Sequence, residues 1–270
     1  MILFPPSKLN LGLQIIAKRI DGYHNLQTVF YQFPLKDVLE ILKDDSLSAG
    51  TCLFNSSGLL IPSGQNLCEK AYYLLSKDFN LPGVHIHLHK IIPMGAGLGG
   101  GSSDAAYTLR LLNVLFDLKI SAAKLMEYAI ELGSDCPFFI HDYPQYAEGR
   151  GEVLEKIDID LKGKHLLIIN PNIHISTQEA FATIKPTESI SCKEIVLQDM
   201  STWKENLSND FEASIFPKYP VLKTLKNKLY DLGALYASMS GSGSTMYAIF
   251  NEAVNIETLP KEHFTWQGKL

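Results

Sequence analysis

Apolar and polar residues alternate from Ser7 onward, with Leu9, Leu11, Leu13 and Ile15 on one side and Lys8, Asn10, Gly12 and Gln14 on the other. A period of two is the signature of a β-strand with one face in a core and one in water. Asp21-Gly22 then offers a tight turn, and the alternation resumes through Val29, Tyr31 and Phe33, so the two stretches read as a hairpin. Leu35, Asp37, Leu39 and Ile41 carry the same period further and predict a third strand of that sheet.

The period then changes. Leu67, Ala71, Leu74 and Leu75 stand at helical spacing within 66–76, and 84–88 alternates again as a strand. Between 95 and 101 five of seven residues are glycine, and a helical pattern follows over 104–116. Ser121 is placed to cap a helix that runs to Leu132 and ends at Gly133. The second half predicts a buried strand at 165–170, helices at 177–184 and 219–232, and strands at 234–240 and 245–250 around a Gly-Ser turn, 240–244. Strands and helices are interspersed without strict alternation, and the tight turns imply antiparallel pairing, so the expected fold is α+β rather than a doubly wound parallel sheet. The charged, weakly hydrophobic stretch 155–165 is the expected divide, giving domains 1–158 and 159–270. No repeat or low-complexity tract interrupts either half.

Composition narrows the possible functions. With 46% hydrophobic and 20% charged residues in 270, the chain can bury a sizeable core and lies far from the disordered class. Lys and Arg number 24 against 29 Asp and Glu, and no basic run exceeds two residues, so nucleic acid is not an expected partner. Cys52, Cys68, Cys136 and Cys192 match neither a zinc or redox spacing nor a dense disulfide framework, which fits a reducing cytoplasm. The first twenty residues, broken by Pro5, Pro6 and Lys8, do not read as a secretory leader, and no run of 18 apolar residues predicts a membrane span.

The glycine-rich segment PMGAGLGGGSSDAA (93–106) is strand, bare backbone, then small polar residues opening a helix. Glycines let backbone N–H groups approach an oxyanion, and the unpaired amides and dipole of a helix start favour negative charge. Ser102 and Ser103 add hydroxyls for a phosphate or its Mg²⁺. Gly95, Gly97 and Gly100 also satisfy G-x-G-x-x-G, but Asp117, at the distance where a dinucleotide fold needs a strand end, closes the helix that the loop opens. No Lys-Ser/Thr pair follows the glycines, and no HRD or DFG is present, so neither a Walker A loop nor a protein kinase is indicated. A triphosphate-binding loop of another type is left.

Phosphoryl transfer needs an orienting carboxylate and cations around the migrating group. Asp135, between the Gly133 cap and Pro137 and before the apolar run Phe138, Phe139, Ile140 expected to be a strand, is a candidate carboxylate; an Asx turn at a helix end is the alternative. Lys8 and Asn10 share the polar face of the first strand, where a solvated lysine is the alternative to a functional one. Tyr23 and His24 follow the hairpin turn and offer a ring to stack on a base and an imidazole to read its edge, or else simply finish a hairpin. His85, His87 and His89 share a strand face but are splayed along it, so a solvated face is expected rather than a metal site.

Taken together, these residues resemble the galactokinase, homoserine kinase, mevalonate kinase (GHMP) superfamily. Three segments carry the likeness: PPSKLNLGLQIIAKRIDGYHNLQTVF (5–30), close to P-A-K-x-N-L-x-L with D-G-Y-H; the glycine segment 93–106; and LGSDCPFF (132–139). Asn66-Leu67 and the segments 147–152, 175–181 and 240–250 support it in the same order. The resemblance implies an N-terminal ATP-side domain like domain 2 of ribosomal protein S5, a C-terminal ferredoxin-like α/β sandwich, and a substrate held between them. It implies ATP and Mg²⁺ as cofactors and, from D-G-Y-H, phosphorylation of the 2-hydroxyl of a cytidine-diphosphate-linked methylerythritol in the non-mevalonate isoprenoid route. A homoserine- or mevalonate-type kinase, a nicotinamide oxidoreductase and a non-catalytic nucleotide binder are the rival readings.

By the same resemblance Asp135 is the base for the substrate hydroxyl and Lys8 the lysine beside the reacting oxygens. Asn10, Tyr23, His24, Thr177 and Phe181 bind substrate, the second and third at the cytosine. ATP falls to Pro93, Met94, Gly95, Ala96, Gly97, Leu98, Gly99, Gly100, Gly101, Ser102 and Ser103, with Asn66 and Lys90 on the adenine side and Mg²⁺ near Ser103. The chain departs from the pattern at Ser7, where alanine is usual and a small residue should be tolerated. It also carries Asp104, a carboxylate expected near the phosphates and so bearing on ATP or Mg²⁺ affinity. A small-molecule enzyme acting as a monomer or weak homodimer is expected.

Overall fold

The computed structural model describes residues 1–62, 64, 66–182, 184, 186 and 190–270. Compactness groups them into two units gathered from separated segments. One holds Met1–Ser7, Leu35–Ile92 and Gly99–Asp142; the other holds Lys8–Pro34, Pro93–Leu98 and Tyr143–Leu270. This is a different partition from a single division at 158.

The first unit has a four-stranded sheet in the order Ile2–Leu3, Val38–Lys43, Val84–Lys90, Cys52–Gly58. The last two strands are parallel, joined through the helix Leu67–Ser76, and the other pairings are antiparallel. Leu39, Ile41, Ile86 and Leu88 are buried, and the helices Leu67–Ser76 and Gly100–Leu115 pack against the sheet. The three histidines alternate with these buried residues: His85 Nε2 lies 2.7 Å from Asp44, while His87 and His89 each lie 2.9 Å from the Ser57 hydroxyl. Among the described residues no three His, Cys, Asp or Glu side chains gather as a metal cluster.

The second unit has two four-stranded sheets. One is ordered Pro6–Lys18, His24–Lys36, Gln145–Glu148, Val153–Lys156; the other Tyr236–Met239, Met246–Phe250, His165–Asn170, Phe264–Lys269. The expected hairpin closes at Asp21-Gly22, with Arg19 N–H donating to the Tyr23 carbonyl. Leu13 and Ile15 of the first strand share a core with Leu167, Ile169, Met246 and Ala248 and with Leu222, Leu225 and Leu229 of the helix Pro220–Asp231. The α+β expectation holds. No helix among the described residues is long and apolar enough to cross a membrane.

Four local expectations need correction. The third alternating stretch does not extend the hairpin sheet: Val38–Lys43 pairs with Ile2–Leu3 and Val84–Lys90 in the other unit. The polar side of Pro6–Lys18 is not wet. Its Gln14 accepts from the Cys192 N–H and donates to the Ile190 carbonyl, and Leu13 N–H donates to Ser208, so a second layer of chain covers it. Phe138 to Ile140 belongs to a 3-10 helix, Pro137–Ile140, because proline starts a helical turn readily and a four-residue apolar run has no period of its own. The helix after the glycines begins at Gly100, not 104. Of the helix expected at 177–184, Thr177–Phe181 is helical, and residue 183 lies outside the described residues.

Candidate active site

Three groups of expected site residues can be built from their elements. The first lies on the strand Pro6–Lys18. Lys8 is 3% exposed; its ammonium donates to Asn10 Oδ1 at 2.6 Å and stands 5.1 Å from the Phe30 ring centre. Asn10 Nδ2 donates to the Thr28 hydroxyl at 2.9 Å, and that hydroxyl donates to the Gly12 carbonyl at 2.5 Å. The Tyr247 hydroxyl donates to the Asn10 carbonyl. The strand also anchors the glycine segment, since Lys8 N–H donates to the Leu98 carbonyl at 2.9 Å.

The stretch 93–98 is braced from its other side by the Gly-Ser turn. The Ser240 hydroxyl donates to the Gly97 carbonyl at 2.8 Å, and Thr245 N–H reaches the Ala96 carbonyl. Gly97 has φ +78, and a Cβ there would stand 1.9 Å from the Ser240 carbonyl oxygen, so only glycine fits. Pro93, Ala96 and Leu98 are buried, whereas Met94 and Gly95 are exposed at the tip.

The second group gathers at the hairpin tip. His24 stacks on Phe181, ring centres 4.7 Å apart and planes 16° off parallel, and Phe181 meets Phe211 edge-on. Burial, helped by Lys18, lowers the His24 pKa and favours the neutral imidazole, which can both donate and accept towards a base. Tyr23 is exposed under the Arg150 guanidinium, 5.1 Å from its ring centre. Thr177 is exposed in the first turn of its helix.

The third group belongs to the first unit. The helix Gly100–Leu115 starts after Gly99, which has φ +69 and no side chain to accept from the first amides. Gly101 is open and Ser102 half-buried; the Ser103 hydroxyl is buried and has no hydrogen-bond partner among the described residues. Free amides, a helix dipole and an orphaned hydroxyl at one helix start suit a phosphate. Asp135 sits in the turn between the helix Ala122–Leu132 and Pro137–Ile140, and its neighbour Cys136 is hydrogen-bonded with Ser102, which brings that turn to the helix start. Burial pushes the Cys136 thiol up to about 12, so it stays protonated.

Lys90 and Asn66 have structural employment that the sequence reading did not give them. The Lys90 ammonium is buried between Asp37, at 2.5 Å, and Asp104, at 2.7 Å, and a Cβ on Gly100 would stand 2.9 Å from it. Burial works against the Lys90 charge, but the two carboxylates outweigh it and raise its pKa. Asp104 is pushed up to about 7, chiefly by burial, with Lys90 pulling it down and Asp37 pushing it up. The carboxylate that departs from the family pattern is thus turned to Lys90. Asn66 caps the helix Leu67–Ser76: its side-chain oxygen accepts from the Cys68 and Glu69 amides, while Glu69 reaches back to the Asn66 N–H.

Thr28, Phe30 and Ser240 were missed from sequence. The first two follow the D-G-Y-H turn in the hairpin's second strand, where only the pairing with Pro6–Lys18 reveals them. Asn66-x-x-Glu69, by contrast, is a capping box that the sequence does display.

Residues 66–143 match the N terminal domain of GHMP kinases, and residues 191–259 match the GHMP kinases C terminal domain. A 4-diphosphocytidyl-2-C-methyl-D-erythritol kinase of Bacteroides thetaiotaomicron is 51% identical over 278 residues, covering 100% of each chain. One from Bacteroides fragilis is 49% identical over 276 residues, again covering 100% of both. The crystal structure of a 4-(cytidine 5'-diphospho)-2C-methyl-D-erythritol kinase superposes with a TM-score of 0.79 at 31% identity, over 92% of this chain and 90% of that one.

Proposed function

Since the chain belongs to the GHMP kinase family, and within it to the 4-diphosphocytidyl-2-C-methyl-D-erythritol kinases, we propose that it transfers the γ-phosphoryl group of ATP to the tertiary 2-hydroxyl of 4-diphosphocytidyl-2-C-methyl-D-erythritol. The products are the 2-phosphate and ADP, a step of the non-mevalonate route to isoprenoids. The observation that carries this reading is the 49–51% identity to relatives of that name along the full chain.

In this reading Asp135 accepts or orients the hydroxyl proton, and Lys8 stabilises charge as it develops on the reacting oxygens. The backbone amides of 95–103 and the helix start hold the triphosphate, so positioning and electrostatics do most of the catalysis. The neutral His24 and the Phe181 ring form the base-reading end, with Tyr23, Thr177 and Asn10 as further substrate contacts. Mg²⁺ suits this site through the buried Ser103 hydroxyl, whereas Asp104 is engaged with Lys90. When bound it would neutralise phosphate charge. The division into 1–158 and 159–270 is supported by the two family matches falling one on either side of it. The four buried free thiols suit a reducing cytoplasm, and a monomer or weak homodimer is the proposed state.

The test is ADP release from ATP and Mg²⁺ with and without the cytidine-linked substrate. Substrate-dependent ADP is expected, and Asp135→Asn should lower kcat by about 10²-fold or more with ATP affinity nearly unchanged. Turnover of that variant near wild type would remove Asp135 from its role; intact ATP binding without substrate-dependent ADP would point to another acceptor alcohol.

A further inference from the structure

Three side chains on two neighbouring strands of the second unit form a hydrogen-bond chain whose every direction is forced. An ammonium only donates, so the Asn10 atom 2.6 Å from Lys8 Nζ must be the amide oxygen. The amide nitrogen then faces Thr28 and, being a donor only, makes the Thr28 oxygen the acceptor at 2.9 Å. The Thr28 proton is left to point at the Gly12 carbonyl, 2.5 Å away, which only accepts. Turning the Asn10 amide over would set an NH₂ group against the ammonium and break the sense of both remaining bonds.

The chain is also isolated from solvent and closely packed at its far end. Thr28 is 0%, Asn10 2% and Lys8 3% exposed, so water is poorly placed to substitute for a lost partner. Gly12 holds φ +69, and a Cβ there would meet Leu207 at 2.5 Å and Cys192 at 2.9 Å, so the accepting carbonyl belongs to a position that only glycine fits. Tyr247 ties down the Asn10 carbonyl, and the Phe30 ring lies beside the ammonium.

We propose that Thr28 is a positioning residue for phosphoryl transfer, its hydroxyl fixing the Asn10 amide and, through that amide, the place of the Lys8 ammonium. The inference rests on the kinase reading given above. Thr28 touches neither nucleotide nor acceptor in this account and acts only through Asn10. A valine there keeps the shape but leaves the Asn10 NH₂ without its acceptor and the Gly12 carbonyl without its donor, so the amide is no longer fixed and the acceptor it offers Lys8 is no longer held in place. The glycine stretch 93–98 is held by the Ser240 hydroxyl and by the backbone bond from Lys8 N–H to the Leu98 carbonyl, neither of which involves the Thr28 hydroxyl, which predicts an effect on turnover rather than on ATP binding.

The experiment is a mutant cycle on substrate-dependent ADP release. Wild type is measured first, since absence of that activity would overturn the kinase reading, and this inference with it, before any variant is made. Thr28→Val is expected to lower kcat by about 10–100-fold with KM for ATP within about twofold, and Thr28→Ser to stay within about threefold of wild type. In an Asn10→Ala background, where the link to Lys8 is already cut, adding Thr28→Val should cost less than about twofold more. A Thr28→Val kcat close to wild type, a KM for ATP rising in step with the fall in kcat, or losses that multiply in the double variant would overturn the assignment. If Thr28→Val fails to fold by circular dichroism, Thr28→Ala replaces it in the cycle; failure of both to fold would make Thr28 a fold-determining residue and likewise overturn it.

Discussion

Lys8 and Lys90 are buried to nearly the same degree, 3% and 2% exposed, and are held in different ways. Lys90 lies between two carboxylates, and one of these, Asp37, also accepts the Ile91 and Ile92 amides with its second oxygen. That cluster ties the end of the strand Val84–Lys90 to the first turns of the helix Gly100–Leu115. The grip on Lys8 described within its own unit comes from a neutral amide oxygen and an aromatic ring, and runs on through Thr28 to a backbone carbonyl. At Lys90 an ion cluster joins chain segments to one another, whereas the Asn10 contact on Lys8 is one end of a directional relay of neutral groups. Residue type and burial are the same; the contacts described differ.

Replacing each lysine with methionine should pull the two apart. Lys90→Met leaves Asp37 and Asp104 buried without their cation and is expected to cost about 3–5 kcal/mol of stability, read from urea unfolding. A loss below about 1 kcal/mol would mean that the carboxylates do not depend on the ammonium. Lys8→Met should show the opposite profile, with kcat down by about 10²–10³-fold and a smaller shift of the unfolding midpoint. Equal destabilisation of the two variants, with Lys8→Met still turning over, would erase the contrast.

His24 adds a cation-capable side chain that the fold keeps neutral. Its pKa is lowered from the usual 6.5 by burial and by Lys18, so any stability it contributes is present above pH 6.5 and is lost as pH falls through the lower folded value. An NMR titration should place its midpoint below 6.5; a midpoint at or above that value would show that burial does not hold the ring neutral. The effect is the smallest of the three.

Much of this was legible in the chain. The period-two stretch from Ser7, the turn at Asp21-Gly22, the helix capped by Ser121 and the glycine segment before a helix all use signals confined to a few neighbouring residues. What could not be read depends on distant partners. Nothing near Gln14 announces that residues 190 and 192 will cover it, nor does anything near Asp37 announce a lysine 53 positions on. The helix start at Gly100 was hidden because glycine is a poor helix former, and tertiary context overrides that preference here. The family resemblance singles out Lys8, Asn10 and His24, yet the burial of the strand's polar face and the threonine that accepts from Asn10 emerge only once the strands are paired.

The contact between Gly97 and Ser240 joins positions 143 residues apart in the chain. Because a side chain at 97 would collide with the backbone at 240, and Gly241 in turn lies 3.3 Å (Cβ position) from the Gly97 Cα, neither loop can be redrawn while the other stays as it is. For anyone building a library around the glycine-rich loop, the unit of variation is therefore not 93–103 alone. Position 97 and positions 240–241 would have to be randomised together, as a lock and its key are cut together, and a single-site scan of Gly97 would report an intolerance that belongs to the pair.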